Sequence, residues 1–563
     1  MVQQIETQVL IIGAGPCGLM LANELGQRGI DAIVVDQKAS VAQAPQANAT
    51  QARTMEHYRR LGLAEEIRAQ GLPADYPTDV AYFTTLAGHE IGRHKMPSSG
   101  RAGAFVRENA HIWNAAEMPH RIPQSLVEQT LWRHATGHEN IAVRFDMQVT
   151  GFEDDGQGVS ARIKHTKTGE TTMIRASYMF AADGAQSPTR RSLGIRHGGG
   201  DAAERDFMGG RMLSVYVDAP TFYDELDVPK AWMYWAFNRR RRGIIAATDG
   251  LRTFSFGTQL RPGEDGETMS LKEAGALFTQ AVGRDIPHTV KGIANWTAGR
   301  ALVADKFQSG RVMMGGDAVH IFTPTGGMGY NTAIEDAVNA GWKLAAVLKG
   351  QAAPALLDSY EAERRPVAFR NTAFALRFAD SVGLFAPSPA IEDTSAAGDF
   401  ARKRAGSYLA EHGRNEFTIP GFTLGARYDT SPVIWPEQSL TPPDAPSVYV
   451  PSAKPGGRAP HLWLEDGSSL FDNFGFEWTL LCLDSQAAAS LTAFVDAAER
   501  RHLPLKVLDL KDNGIAADFY QAAYALIRPD QVVAWRGALS DTNADAVLDL
   551  VTARVEEKII ENA

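Results

Sequence analysis

The stretch that decides the fold is Val9-Leu10-Ile11-Ile12-Gly13-Ala14-Gly15-Pro16-Cys17-Gly18. Four apolar residues run straight into a G-x-G-x-x-G turn, the sequence form of a strand entering a helix in a βαβ unit. Gly13 and Gly15 permit a tight turn and let backbone approach a pyrophosphate, while Gly18 lets the helix pack closely on the strand. The start of that helix offers unpaired N–H groups and the positive end of a dipole to an anion. Leu19 to Gln27 read as the helix, Gly29 as its C′ residue, and Ile30 to Val35 as the next strand. That strand ends on Asp36, eighteen residues past Gly18, where an acid usually accepts a ribose hydroxyl. Taken alone, the segment also suits a plain glycine turn in an ordinary α/β domain.

Two later segments narrow the reading. One is Asp183-Gly184-Ala185-Gln186-Ser187-Pro188-Thr189-Arg190; the other is Gly315-Gly316-Asp317-Ala318-Val319-His320, followed by Pro324 and by Gly326-Gly327-Met328-Gly329-Tyr330-Asn331. A lone GxGxxG arises by chance, but the three segments in this order describe one dinucleotide gripped at three places, and that dinucleotide is FAD. Glycines 326, 327 and 329 let backbone lie against a flat ring that side chains would block. A helix N-terminus aimed at the ring offsets the negative charge of reduced flavin. Asp317 has a plainer alternative as a helix-capping or turn aspartate.

Composition agrees with a large globular enzyme. The 563 residues are 44% hydrophobic and 22% charged, with a net charge of −10. No basic domain stands out, which argues against nucleic acid as a partner. The run Arg239-Arg240-Arg241-Arg242 reads as a solvated hairpin tip, with steering of a phosphorylated cofactor as the alternative. Two cysteines, Cys17 and Cys482, rule out a disulfide framework and suit a reducing cytoplasm. The chain enters a core strand by residue 9, so no signal peptide is expected. No apolar run reaches about 18 residues, so none is expected to span a membrane.

Along the chain, residues 1 to about 75 read as a βαβ unit with a helix around Arg53 to Arg68. Residues 76 to 110 look strand-rich and irregular, and Pro123 to His134 is a helix. Short strands then lead into the second segment. Between about 205 and 300 aromatic and β-branched residues alternate, at Met212–Val217, Trp232–Phe237, Ile244–Ala247 and Thr253–Leu260, which predicts an antiparallel sheet and a separate lobe. A helix from about Asn331 to Lys349 follows the third segment. Two Pro-rich segments, Leu384–Phe400 and Pro432–Pro460, mark boundaries, and the second, with eight prolines, cannot be regular helix or central sheet. Beyond them a β-α-β-α-β order (with Phe519–Tyr524 as its second helix) and a final helix from about Ala544 to Ile560 predict a small α/β unit.

At this point the chain resembles the class A FAD-dependent aromatic hydroxylases of the p-hydroxybenzoate-hydroxylase fold, in the phenol-hydroxylase-like branch. Gly456-Gly457-Arg458-Ala459-Pro460-His461, Leu470-Phe471-Asp472, Ile527-Arg528-Pro529-Asp530 and Ala534-Trp535-Arg536 extend the likeness to the C-terminus. The resemblance implies an α/β chain, α+β overall. Its Rossmann-like FAD domain would comprise residues 1–75, 110–200 and 300–385, with an antiparallel-sheet substrate domain of residues 76–109 and 201–299. A helical, Pro-rich linker over 386–460 and a thioredoxin-like domain over 461–563 would complete it. It implies that Gly13, Gly15, Gly18 and Asp36 hold the adenosine half of FAD, with Arg53 also on the cofactor. Gln124 would touch the flavin side, and Asp183 would share duty between FAD and NAD(P)H, with Arg190 closing that segment. Asp317 would bond the ribityl chain, while Gly327, Gly329 and Asn331 would lie against the ring and Pro324 beside it.

The implied reaction is NAD(P)H-dependent hydroxylation of a phenolic ring with O2 through a flavin C4a-hydroperoxide. A dehydrogenase or reductase on the same fold, without oxygen insertion, and a non-catalytic flavin-binding protein are the rivals. A homodimer and a cytoplasmic location are compatible with it. Two positions depart from relatives: Gln46 stands where an arginine is common, and Asn48 where an aspartate or histidine is proposed to deprotonate the substrate. Asparagine cannot take a proton. Either another group is the base, or the substrate arrives as its phenolate, or Asn48 only orients the hydroxyl; it is equally readable as an ordinary loop asparagine. Tyr234, with Tyr216, Met233 and Trp235, either lines an apolar substrate cavity or is plain core. His134 and His138 have metal-like spacing without further ligands and read as surface residues, so no metal is expected. His320 reads as packed beneath the third loop. No CxxC or GxSxG occurs, so dithiol and serine-hydrolase chemistry have no support.

Overall fold

The computed structural model describes residues 3–42, 48–198, 210–297, 301–323, 325–383, 385–484, 488–538 and 543–554. Gln46, Pro324, Leu384 and the stretch after Arg554, including the rest of the expected last helix, lie outside these residues.

The first apolar run builds the centre of an eight-stranded sheet. Strand Gln3–Ile12 lies between Ala32–Val35 and Thr171–Ala181, parallel to both. Ile141–Arg144 extends the parallel set on one side and Val312–Met314 on the other. Val9, Leu10 and Ile11 are fully buried, as expected for a strand covered on both faces by helices. The helix Pro16–Gly26 begins on a proline at its first turn, two residues before the glycine that closes the motif. The hairpin Met147–Asp154 and Val159–His165 joins the sheet antiparallel.

A second sheet of seven strands runs Thr289–Thr297, Arg211–Asp218, Thr253–Gln259, Arg242–Ala247, Met233–Phe237, Val80–Phe83 and Glu90–His94. It is antiparallel except where Met233–Phe237 meets Val80–Phe83, a parallel pair that the alternation pattern did not foretell. The two strands from residues 80–94 are thus carried into a sheet made mostly from residues 211–297. Residues 99–113 are largely helical, not strand-rich.

The arginine run is a hairpin tip between the antiparallel strands Met233–Phe237 and Arg242–Ala247, with Arg239 and Arg240 exposed, but its second half is not solvated. Arg241 is 2% exposed and pairs with Glu264. Arg242 donates to the Gly383 and Val382 carbonyls, and Arg239 reaches Pro389 and Glu392. The hairpin is fastened to the end of the long helix Asp358–Gly383 and the turn after it. The helix Ala396–Phe417 then starts on a Ser395 cap and packs across the strand Glu90–His94.

The C-terminal unit is a four-stranded sheet in the order Leu505–Asp509, Trp478–Cys482, Tyr524–Ile527, Val533–Gly537. The first pair is parallel and the other two antiparallel. Phe519–Tyr524 is not a helix: the helix ends at Tyr520 and Tyr524 opens a strand, giving the order β-α-β-α-β-β-α. Buried ion pairs bind this unit to the rest. Arg528 pairs with Glu363, and Arg458 with Glu56.

Candidate functional site at the strand ends

Three parallel strands finish side by side. Ile12 lies in register with Ala181, and Ala181 with Met314. The chain therefore leaves the sheet at three adjacent points, through Gly13–Gly18, through Ala182–Arg190 and through Gly315–His320. Ala182 N–H donates to the Ile12 carbonyl at 2.7 Å and Gly315 N–H to the Ala181 carbonyl at 3.0 Å. Open α/β sheets take their ligands at the carboxyl ends of their strands, and here all three sequence segments converge on one such edge.

The three glycines of the first turn differ in what constrains them. Gly13 has φ +102°, and a Cβ there would come within 2.2 Å of the Ala182 oxygen. A Cβ on Gly18 would lie 1.9 Å from the Gly13 oxygen. A Cβ on Gly15 would meet no atom within 4 Å; it would fill open space in the cradle at the start of the Pro16–Gly26 helix. Packing thus requires two of the glycines, and the third leaves room for a ligand. Asp36 Oδ2 accepts from Ala14 N–H at 2.8 Å and Oδ1 from Lys38 N–H at 2.8 Å, so it braces the turn. An ionised carboxylate retains further lone pairs for a hydroxyl.

In the second segment Asp183 Oδ2 accepts from Thr189 N–H at 3.0 Å, while its Oδ1 is buried without a partner among the described residues. Arg190 Nη1 donates to the Ala318 carbonyl at 2.6 Å, tying the second segment to the third. Asp317 stands at the cleft surface on the turn Gly316–Ala318. The protein crowded around it pushes its carboxyl up, with His320 opposing, and it makes no side-chain hydrogen bond among the described residues. Beneath it, Asp336 Oδ2 meets His320 Nε2 at 2.6 Å and accepts from Gly316 N–H at 3.0 Å. Arg364 Nε donates to Asp336 Oδ1 at 2.8 Å. Burial alone would raise the Asp336 carboxyl, but His320 and Arg364 hold it below the usual range.

The glycine loop is fixed from two sides. Gly326 and Gly327 have φ of +61° and +68°, and a Cβ on Gly327 would lie 2.9 Å from that of Ala49. Asn331, in the first turn of the helix Met328–Leu348, donates through Nδ2 to the Ala49 carbonyl at 2.9 Å and accepts from Gln51 N–H at 2.8 Å. Gln51 Nε2 donates to the Gly326 carbonyl at 2.8 Å. From the other side Glu416 Oε1 accepts from Gly326 N–H at 2.8 Å, and Glu416 Oε2 is bonded to His412. A Cβ on Gly329 would rest on Phe322. Asn48, half-buried, immediately precedes Ala49 and so stands beside the loop. Gln124 opens the helix Gln124–Gly137 and donates to Glu128 at 2.7 Å; Glu128 also accepts from Ala42 N–H. Sequence reading missed Gln51, Glu416, Asp336 and Arg364, because their partners are remote in the chain; the only local signal was the Ser395 cap of the Glu416 helix.

Two candidates are placed elsewhere. Arg53 donates to Glu56 and Gln531 and to the Asp530 carbonyl, so its guanidinium serves the junction with the C-terminal unit. Tyr234 is core: it is fully buried, its hydroxyl accepts from Ala231 N–H at 2.7 Å, and its ring packs against Phe83 and Phe222. Strand alternation turns it away from Trp235 and Phe237, which stack on each other. His134 bonds Glu66 at the surface. Among the described residues no three of His, Cys, Asp and Glu come together as a metal-binding group, and no helix is long and apolar enough to cross a membrane.

Comparison with known proteins agrees with this geometry. Residues 6–375 match the FAD binding domain family and residues 452–555 the aromatic-ring hydroxylase C-terminal family. The chain is 30% identical to the FAD-dependent monooxygenase apdD of Emericella nidulans, over 96% of this chain and 89% of the relative. It is 29% identical to phenol 2-monooxygenase of a Pseudomonas species, over 94% of this chain and 90% of the relative. The solved structure of the rebeccamycin biosynthetic enzyme RebC with reduced flavin superposes with a TM-score of 0.86 at 31% identity, covering 98% of this chain and 100% of that one.

Proposed function

The chain belongs to the FAD-dependent aromatic hydroxylases, and from that premise we propose how its residues divide the work. It is a flavin-dependent monooxygenase that hydroxylates an aromatic or phenolic substrate. The open cradle at Gly15 and the unpartnered Asp183 Oδ1 suit a bound dinucleotide. Gly13, Gly15, Gly18 and Asp36 would then hold the adenosine half of FAD, with the pyrophosphate at the helix N-terminus. Asp317 would accept from the ribityl hydroxyls. Gln124 would face the flavin, and Gly327, Gly329 and Asn331 would form a backbone wall against the ring. When bound, FAD supplies hydride acceptance and oxygen activation.

NAD(P)H is the proposed reductant. It would visit Asp183 and its loop without a domain of its own, since the sequence holds no second glycine fingerprint. The glycine loop, held by Gln51 and Glu416, would exclude water from the reacting face. The seven-stranded sheet would cover the substrate as a domain inserted in the FAD unit. The strand order and directions of the C-terminal unit support a thioredoxin-like fold. Cys482, buried in a strand without a second cysteine beside it, supports a structural role for that unit. Two buried, unpaired cysteines suit a reducing cytoplasm.

The observation that carries the reading is the alignment of Ile12, Ala181 and Met314, which brings three cofactor segments to one edge. The test is turnover under 18O2 with a panel of phenols, following NAD(P)H consumption and product mass. Label in a hydroxylated product is the expected result. NAD(P)H oxidation that yields an unlabelled organic product would replace the reading by a dehydrogenase on the same fold.

A further inference from the structure

Arg121 is a buried arginine without an ion-paired acid among the described residues. It is 3% exposed, and among the described residues its guanidinium donates only to the Met96 thioether, at 3.6 Å. Nη1 is buried with no acceptor. Several other deep arginines are matched by acids, Arg364 by Asp336, Arg458 by Glu56 and Arg528 by Glu363, and Arg190 by backbone carbonyls. Glu416 acts on Arg121 from a distance, but its oxygens are committed to Gly326 N–H and His412. Burial pulls the guanidinium down to about 9, against that attraction. A guanidinium carries five donors in a planar fork and keeps its charge at neutral pH, so an uncompensated one in the interior is costly without a partner.

Its location ties it to the reaction site. Thr50 and His120 form an antiparallel bridge, which brings Arg121 opposite Ala49, the residue against Gly327. The guanidinium lies 4.0 Å from the centre of the Trp232 ring and 5.4 Å from that of Phe417. Among the described residues the indole N–H of Trp232, whose ring the guanidinium covers, is also buried without an acceptor, and so is the Tyr82 hydroxyl. Tyr82 and Trp235 both stack on Phe237, on the sheet face opposite Tyr234, and the Tyr82 hydroxyl abuts Gly413 of the helix that carries Glu416. An unpaired guanidinium with an unpaired indole N–H against it, opposite the residue that packs on Gly327, suits an acceptor-rich ligand.

Resting on the hydroxylase reading, we propose that Arg121 is a specificity residue that receives a carboxylate borne by the aromatic substrate. The planar fork offers such a group charge-assisted hydrogen bonds, while the Trp232 ring beneath it holds the fork in place.

The test uses FAD-loaded protein and three matched pairs: 3-hydroxybenzoate, 4-hydroxybenzoate and 1-hydroxy-2-naphthoate, each against its neutral amide. Binding is read from the flavin absorbance change and turnover from NAD(P)H consumption. At least one carboxylate should bind about tenfold or more tighter than its amide. Arg121→Gln should abolish that preference while leaving the amide's affinity within about threefold, and Arg121→Lys should restore part of it. Trp232→Phe, which keeps an aromatic ring under the fork and removes one donor, covers the case in which Arg121→Gln does not fold and should give a smaller loss of the same sign. Equal loss for carboxylate and amide, or a wild type that prefers amides while still consuming NAD(P)H with phenols, would overturn the proposal and leave the hydroxylase standing. No response to any phenol would remove both.

Discussion

Asn331 accepts a 2.8 Å hydrogen bond from the backbone N–H of Gln51 across 280 residues of sequence. The same amide donates to the Ala49 carbonyl, so one side chain docks the start of the Met328–Leu348 helix onto the segment that carries Asn48. Asn331→Ala leaves a buried donor and a buried acceptor unpaired, a loss of about 2 kcal/mol or more. We expect lower FAD content on purification and a lower unfolding temperature of the flavoprotein. Unchanged values for both would show that the clamp does not hold the loop.

Gly15 and Gly18 should separate folding from cofactor binding. A Cβ on Gly18 collides with the Gly13 oxygen at 1.9 Å, so Gly18→Ala should yield little folded protein. A Cβ on Gly15 meets nothing, so Gly15→Ala should fold with an ordinary circular dichroism spectrum yet lose most of its FAD. If Gly15→Ala retains full flavin, the cradle is not where the pyrophosphate lies.

The first βα turn was legible in the sequence because its physics is local: an apolar run, two packing glycines and a terminal acid lie within 36 residues. The convergence of Asp183 and Asp317 on that turn was legible only through the order of the segments, since the register of Ile12, Ala181 and Met314 is a property of the sheet. The resemblance implied a cofactor role for Arg53, and the sequence left Tyr234 open between substrate cavity and core. An arginine at a domain junction and a tyrosine in a strand find their partners through tertiary packing, which neither the resemblance nor the local sequence shows. Beyond the Ser395 cap of the Glu416 helix, Glu416 and Arg121 gave no signal, because what distinguishes them is a remote N–H group in one case and the lack of an acid in the other.

Docking of the C-terminal unit should fail in acid. Glu56 accepts from both Arg458 and Arg53 and from Ala116 N–H. Burial opposes its ionisation, yet Arg458, Arg53 and the Ala116 N–H together outweigh it and hold the carboxyl at about 2, against an ordinary 4.5. Because the folded value is depressed, the contribution is complete above about pH 4.5 and is lost as pH falls toward 2; a shift of this size corresponds to about 3 kcal/mol. Glu56→Gln should be destabilised at pH 7 and converge on the wild type only near pH 2, as followed by unfolding midpoints across pH. Parallel curves for the two proteins would remove Glu56 as the acid-labile joint.

Asn48 carries the most exposed expectation. It stands beside the glycine loop, half-buried, and cannot take a proton from a phenol. The enzyme should therefore favour phenols already acidic through electron-withdrawing substituents or a second ring hydroxyl, because an amide N–H can bond a phenolate but not create one. Asn48→Asp should then raise kcat/KM for weakly acidic phenols and lower it for acidic ones, since a carboxylate opposes the charge of a bound phenolate. An unpaired charge in a closed site costs several kcal/mol, so the loss on the acidic substrates should reach about a hundredfold. The measurement is kcat/KM for a phenol series of graded pKa in both proteins. Crossing profiles put residue 48 at the substrate oxygen; parallel profiles take it away from there.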